Sequence, residues 1–181
     1  MSRIGKRPVE LKEGVTVTQE GSDLLVRGPK GELTVHVPKE ISSQITDNEV
    51  LVTRSNDSKI SKSLHGSTVR ILSNAVHGVT LGWEKKLELR GTGYRARLDG
   101  STLILAIGYS HPVTFLPIEG INFLVTENII TVEGIDRHLV GQISANIKAE
   151  RLPDSYKGKG IRYLGEYIRT KPGKAAAKAA A

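Results

Sequence analysis

GSDLLV, residues 21–26, returns as GSTLIL at residues 100–105, an offset of 79 positions along the chain. The same offset aligns further pairs without a gap: Pro38 with Pro117, Glu40 with Glu119, Val50 with Ile129, Asp57 with Asp136, Ile60 with Leu139, and Leu64 with Ile143. Because the shared positions include a proline, acids and apolar residues of two periods, the pattern indicates a tandem duplication. Both halves are therefore expected to build the same small domain.

The first part of each half has the alternation of half-buried antiparallel strands. In the first copy the apolar positions are Val15, Val17, Leu24, Val26, Leu33, Val35 and Val37. Gly21 and the run GPKG at residues 28–31 supply turn chemistry between these strands, so a meander is the simplest topology.

A helical period follows the strand at residues 50–53. The first helix is expected to present Ile60, Leu64, Thr68, Ile71 and Ala75 to the core, and the second Leu139, Ile143 and Ile147. Asp57 and Asp136 are the predicted N-caps, and Pro153 is expected to end the second helix. The prediction is an α+β fold with a tandem duplication of a small domain, each copy having antiparallel strands and one packed helix. The predicted domains are residues 1–82, residues 83–152 and a basic extension at residues 153–181, which ends in an Ala/Lys-rich stretch expected to be mobile.

Positive charge is concentrated at the two ends of the chain. Residues 148–181 carry nine lysines or arginines against three acids, out of a net charge of +7 for all 181 residues. Arg3, Lys6 and Arg7 add three cations at the beginning, where no acid lies within the first seven residues. Basic ends of this kind are typical of proteins that bind a dense polyanion such as folded RNA.

The composition excludes several other classes. With 38% hydrophobic and 25% charged residues the chain is expected to fold, and no apolar run approaches the length of a membrane span. The N-terminal sequence has neither a secretory nor a transit pattern, so a cytoplasmic location is expected. Zero cysteines and five widely spaced histidines predict no metal site, and no cofactor is expected.

No catalytic constellation is evident, so an enzyme is not expected. The glycine pairs in GTGYRA, residues 91–96, and YKGKGI, residues 156–161, lack the spacing of a phosphate-binding loop. Gly91 and Gly93 are more typical of a bulge or a tight strand entry, with Tyr94 and Arg95 packed outside them. A hydrolase whose site assembles only in space is the remaining, disfavoured candidate.

The basic C-terminal segment is the predicted RNA-binding site. Lysines supply mobile charges for phosphate, arginines can grip phosphate in a bidentate way, and glycines let the backbone approach closely. The candidate residues, with the basic N-terminus, are Arg3, Lys6, Arg7, Tyr156, Lys157, Gly158, Lys159, Gly160, Arg162, Tyr163, Arg169, Lys171 and Lys174. Whether the tyrosines, including Tyr167, stack on RNA or pack on the second domain is left open. The cations of the two helices are better explained as solvated faces than as RNA contacts.

Five motifs in order carry a family resemblance: SRIGKRPV (2–9), VRGPKGEL (26–33), GTGYRA (91–96), IGYSHPV (107–113) and PDSYKGKGIRY (153–163). Together they resemble the bacterial large-ribosomal-subunit protein 6 family. The resemblance implies a duplicated α+β fold without enzymatic activity, located in the large ribosomal subunit of the cytoplasm. It also implies binding to 23S rRNA near its 3′ end, beside neighbouring ribosomal proteins at the base of the stalk and near the factor-binding region, and no homo-oligomer.

The family's RNA-contact motif falls on residues 157–163, Ile161 included, and its basic beginning falls on Arg3, Lys6 and Arg7. The alternative from another class is a non-ribosomal adaptor whose basic tail binds an acidic protein partner.

Overall fold

The computed structural model describes residues 5–46 and 48–173. The elements in chain order are β1 (Val9–Glu10), β2 (Thr16–Glu20), β3 (Asp23–Gly28), β4 (Gly31–His36), β5 (Ile41–Ile45), β6 (Glu49–Arg54), α1 (Lys59–Thr80), β7 (Trp83–Arg90), β8 (Arg95–Asp99), β9 (Thr102–Ala106), β10 (Val113–Phe115), β11 (Ile121–Thr126), β12 (Ile129–Gly134), α2 (Arg137–Glu150) and β13 (Gly160–Tyr163). The described residues form two compact units: residues 5–83 with 135–137, and residues 84–134 with 138–173.

The described part of the first unit contains two three-stranded sheets and one helix. The meander β2-β3-β4 is antiparallel. In its register, Val17 of β2 lies opposite Val26 of β3, and Val26 lies opposite Leu33 of β4. The second sheet has the order β1-β6-β5. Helix α1 packs against strands of both sheets, and Val26, Val50, Leu72 and Val79 are fully buried in the core.

The second unit repeats this plan and adds one strand. Its meander has the order β10-β9-β8, and its other sheet has the order β11-β12-β7-β13. Strands β7, β12 and β11 correspond to β1, β6 and β5 of the first unit, so β13 is the addition. The predicted α+β duplication is confirmed. The predicted boundaries at 82/83 and 152/153 remain a prediction, and the structure groups residues 153–173 with the second unit.

Two details of the first helix differ from the prediction. Its N-cap is Ser58, whose hydroxyl accepts from the Ser61 N–H at 3.1 Å, whereas Asp57 pairs with the Arg54 guanidinium at 2.7 Å. Aspartate and serine are both favourable N-cap residues. Here Asp57 is engaged in the ion pair with Arg54, and Ser58 caps the helix.

The buried face of α1 agrees with the prediction only in part: Thr68 and Ala75 are buried as expected, and Leu64 is partly buried. Ile60 and Ile71 are 68% and 52% exposed, while Val69, Leu72 and Val76 are buried. In the second helix Ile143 and Ile147 are buried as predicted, whereas Leu139 is only partly buried and its neighbour Val140 faces the core. Helix α2 begins directly after Asp136 and ends at Glu150, before Pro153. Among the described residues, no helix is long and apolar enough to span a membrane.

Candidate RNA-binding surface

The basic segment after α2 is built into the second unit as a strand. Strand β13 pairs antiparallel with β7, with Ile161 opposite Leu89 and Arg162 opposite Glu88. Ile161 is fully buried, and its N–H donates to the Arg151 carbonyl at 2.8 Å. Residues 160–163 of the predicted RNA-binding segment are therefore held by a sheet ladder, and Ile161 packs in the core.

A closed turn at residues 154–159 precedes this strand. The Asp154 carboxylate accepts from the Lys157 N–H at 3.0 Å, and the Asp154 N–H donates to the Lys159 carbonyl at 2.8 Å. Backbone N–H groups of Lys157 and Tyr156 lower the pKa of Asp154 because they stabilise its charged form. Gly158 has φ +67, the left-handed conformation such a turn favours. The turn leaves the side chains of Lys157 and Lys159 exposed.

Position 160 requires glycine for two reasons, its backbone conformation and the lack of room for a Cβ atom. Its φ is +149, and a Cβ at this position would lie 2.5 Å from the Pro153 Cα and 2.7 Å from the Leu152 carbonyl oxygen. Because these are backbone atoms, no side-chain rotation could relieve the contact. The second glycine of the KGKG motif thus lets the turn close onto the end of α2.

An open groove of about 430 Å³ lies beside the turn. It is lined by Glu88, Leu89, Arg90, Gly91, Thr92, Asn128, Lys157, Gly158 and Lys159. Lys159 Nζ is 3.4 Å from Thr92 Oγ1, and Lys157 has no ion-pair partner among the described residues. The groove therefore presents exposed ammonium groups next to backbone, which suits phosphate and ribose contacts.

Arg162 is engaged within the protein. Its Nε and Nη2 donate to the same Glu88 oxygen at 2.9 and 2.7 Å, and its side chain is only 16% exposed. The other Glu88 oxygen accepts from Arg90 Nε at 2.9 Å. Hydrogen bonds from Arg90 and Arg162 lower the pKa of Glu88. The RNA contact at Arg162 remains a prediction. In the structure, the Arg162 guanidinium links β13 to β7 through its hydrogen bonds to Glu88.

A second anchor holds the chain just after β13. The Lys148 ammonium donates to both Glu166 oxygens, at 2.6 and 2.8 Å, and the Tyr163 N–H donates to the same carboxylate at 2.9 Å. These groups, with Lys148 contributing most, lower the pKa of Glu166. The ammonium groups of Lys85 and Lys148 lie over the Tyr163 ring, 4.8 and 4.6 Å from its centroid. Tyr163 thus packs on the second unit, and its predicted contact with RNA remains a prediction.

The other two tyrosines of the segment face solvent: Tyr156 is 60% exposed and Tyr167 is 86% exposed. Arg169 and Lys171 are also exposed and form no ion pair within the described part of the chain. The Lys171 N–H donates to the Ser155 carbonyl at 2.8 Å, which brings the later cations back beside the turn. Exposed cations and rings thus share one region of the second unit.

The N-terminal cations belong to the first unit. Lys6 and Arg7 are exposed, and Gly5 is buried where a Cβ would lie 2.6 Å from the His65 ring. His65 itself is fixed, since its Nε2–H donates to the Val52 carbonyl at 2.9 Å and Arg54 donates to its Nδ1 at 3.2 Å. The candidate positions Arg3 and Lys174, like the alanine-rich end, lie outside the described residues.

Sequence reasoning missed Arg90, Thr92 and Glu88, which complete the groove and its support. Their place in the sequence could have indicated two of them, since Arg90 directly precedes the GTGYRA motif and Thr92 lies within it. In that motif Gly91 and Gly93 lie in the turn between β7 and β8, and a Cβ on Gly91 would meet the Tyr94 ring at 2.8 Å. The described residues contain no group of three or more histidines and acids arranged for a metal ion.

Comparison with known proteins matches this architecture to one family. The model of the family described as ribosomal protein L6 matches residues 12–82 and again residues 90–164, one match in each repeat. The chain belongs to the ribosomal protein L6 family.

Three relatives, each named large ribosomal subunit protein uL6, show how far the similarity extends. The chain is 53% identical to the protein of Halalkalibacterium halodurans over 175 residues, which cover 96% of this chain and 98% of the relative. It is 50% identical to the Staphylococcus carnosus protein with the same coverage, and 47% identical to the Thermosynechococcus vestitus protein over 98% of this chain and all of the relative. The predicted family is confirmed, and so is the prediction of a structural protein with no enzymatic role.

Proposed function

We propose that the chain is a structural component of the large ribosomal subunit in the cytoplasm and binds rRNA through its second repeat. The observation that carries this proposal is the groove of the KGKG turn, where Lys157 and Lys159 are exposed beside Arg90. The nearby acids are engaged by other groups: Glu88 by Arg90 and Arg162, Glu166 by Lys148, and Asp154 by backbone N–H groups of its own turn, so Lys157 and Lys159 form no ion pair among the described residues. Membership of the ribosomal protein L6 family supports RNA as the polyanion.

The mode of binding follows from the types of group exposed. Lysine ammonium groups and turn backbone contact phosphates and sugars, which fix position without reading sequence. The described sheets carry no exposed cluster of aromatic residues of the kind that reads single strands, so recognition rests on the shape of a folded RNA. The site thus comprises Tyr156, Lys157, Gly158, Lys159 and Gly160, with Arg169 and Lys171 as later cations, while Arg162 and Tyr163 position them.

The finer target is 23S rRNA near its 3′ domain, at the base of the stalk and close to the factor-binding region. Neighbouring large-subunit proteins are the expected protein contacts, and the role during translation is architectural. This part of the proposal rests on the family resemblance of the KGKG motif and of the basic N-terminus.

The test is a salt titration of RNA binding by the full-length protein. Lys157→Gln/Lys159→Gln is compared with Lys39→Gln/Lys59→Gln, which removes two exposed lysines from the first repeat. The loop variant should lower the slope of log affinity against log salt by about one unit per lost phosphate contact, and the control should not. Equal slopes for the two variants would overturn the proposed anchor.

Two RNA fragments locate the target. Preference for a folded 3′-domain fragment of 23S rRNA over a 5′-domain fragment of equal length is the expected result. If an acidic polypeptide displaces the protein from the 3′-domain fragment more effectively than total rRNA does, the adaptor alternative replaces the ribosomal one.

A further inference from the structure

The first repeat has a groove of its own, between strand β1 and helix α1. It encloses about 390 Å³. Val69 and Val76 of the helix and Val9 of the strand form its apolar wall, and Arg7, Lys12 and Arg70 line it with positive charge. Glu10 is the acid among the lining residues.

This groove corresponds to the place that β13 occupies in the second repeat. There, β13 lies on the free side of β7 and close to α2, whose Lys148 contacts the Tyr163 ring. In the first repeat, β1 is the equivalent edge strand, and within residues 5–46 and 48–83 no fourth strand follows it in the sheet order β1-β6-β5. The offset of 79 places Val69 at the position of Lys148 and Arg70 at that of Ala149. The duplication therefore leaves one strand position open.

A proline argues against a peptide strand in that position. The Leu11 N–H donates to the Asn48 carbonyl at 2.8 Å, so in the alternating ladder Val9 and Leu11 bond to β6. Pro8 and Glu10 then face the free edge, and Pro8 has no N–H to offer an added strand. Proline at an edge is a known barrier to strand addition.

The charges of the groove favour a polyanion instead. Two other arginines of the first unit pair with acids: Arg27 with Glu32 at 3.0 Å and Arg54 with Asp57 at 2.7 Å. Arg7, Lys12 and Arg70 form no ion pair among the described residues. Two guanidinium groups in one groove can grip phosphate oxygens in a bidentate way.

We propose that this groove of the first repeat is a second phosphate-binding site, which holds the backbone of an RNA segment beside β1. The inference rests on the proposed role of the chain as an rRNA-binding protein, but it uses residues separate from the KGKG turn. Each repeat then contributes its own contact with RNA. The first repeat contributes the groove beside β1, and the second contributes the KGKG turn that precedes β13.

The test uses the full-length protein, a folded large-subunit rRNA fragment and the salt slope of binding. Arg7→Gln/Arg70→Gln should lower the slope by about one to two units, whereas Lys39→Gln/Lys59→Gln should leave it unchanged. Combined with Lys157→Gln/Lys159→Gln, the losses should add. Lys12→Gln, a change in an exposed loop, serves as a second variant should the arginine pair lower the unfolding midpoint.

The outcomes separate the two proposals. If the loop variant lowers the slope and both groove variants match the control, the groove proposal is wrong and the proposed function stands. If the groove variants lower the slope and the loop variant does not, the groove proposal stands and the anchor in the second repeat is wrong. Loss of binding to poly-glutamate in the groove variants, with an unchanged RNA slope, would assign the groove to an acidic protein and overturn the inference.

Discussion

The two repeats differ in where their helix ends and in the structure of the residues that follow it. Helix α1 has 22 residues and continues to Thr80, whereas α2 has 14 and ends at Glu150. In the first repeat, Leu81 and Gly82 close the helix with N–H bonds to the His77 and Gly78 carbonyls. In the second, Pro153 prevents continuation, and the released residues return as β13. The second repeat thus ends its helix earlier and uses the residues that follow for an exposed turn and an added strand.

The largest expected effect comes from breaking the turn that only the second repeat has. Gly160→Ala should destabilise the second unit by about 3 kcal/mol, because the new Cβ meets backbone atoms and the residue must keep φ +149. Urea unfolding measures the change. Gly158→Ala, at φ +67 with open space around its Cβ, is the matched control and should cost about 1 kcal/mol. Equal losses would show that the contact with Pro153 does not constrain the turn.

A smaller effect is expected from untying β13 from β7. Arg162→Met keeps most of the side-chain volume but removes both hydrogen bonds to Glu88, and should cost about 2 kcal/mol because that carboxylate is only 22% exposed. Arg97→Met is the control, since Arg97 is an exposed residue of β8 without an ion pair among the described residues. If Arg162→Met changes the salt slope of RNA binding and leaves stability intact, Arg162 contacts RNA and does not anchor the strand.

Both predictions concern features that the sequence alone did not reveal, namely strand β13 and the contact between Arg162 and Glu88. The duplication, the meander and both helices follow from local periodicity and turn residues. Strand β13 does not, because GIRY has one apolar residue in a glycine-rich, charged context and pairs with a strand about 70 residues earlier. Arg162 looked like its neighbouring cations for the same reason: Glu88, its partner, is 74 residues away. In α1, Thr68 and Ala75 are buried as predicted, but the predictions for Ile60 and Ile71 were wrong, because two apolar stripes lie side by side and local period alone cannot choose the one that meets the sheets.

Acid should weaken the second repeat through its two paired glutamates. The pKa values of Glu88 and Glu166 are lowered in the folded protein, so their contribution to stability is present above the ordinary glutamate pKa of about 4.3 and is lost as pH falls below it. Unfolding measured from pH 7 to pH 3 should show this loss. In Glu88→Gln/Glu166→Gln the decline should be shallower, and an unchanged pH profile would contradict the assignment.

The smallest effect on stability is expected at the exposed ring. Tyr167→Leu should change the free energy of unfolding by less than about 0.5 kcal/mol, since the side chain is 86% exposed. Tyr163→Leu should cost more, because two ammonium groups lie within 4.8 Å of its ring centroid. Thermal unfolding of the two variants compares them directly. A larger loss for Tyr167→Leu would mean that the segment packs differently.

Lysine footprinting of the wild-type chain, free and bound to a folded 3′-domain rRNA fragment, tests the central claim most directly. Mass spectrometry after brief acetylation reports each lysine separately, without any substitution. The account predicts that Lys157, Lys159 and Lys171 become several-fold less reactive on RNA binding, while Lys39 is unaffected. If the lysines of the turn stay as reactive as Lys39 in the complex, the turn is not the RNA anchor.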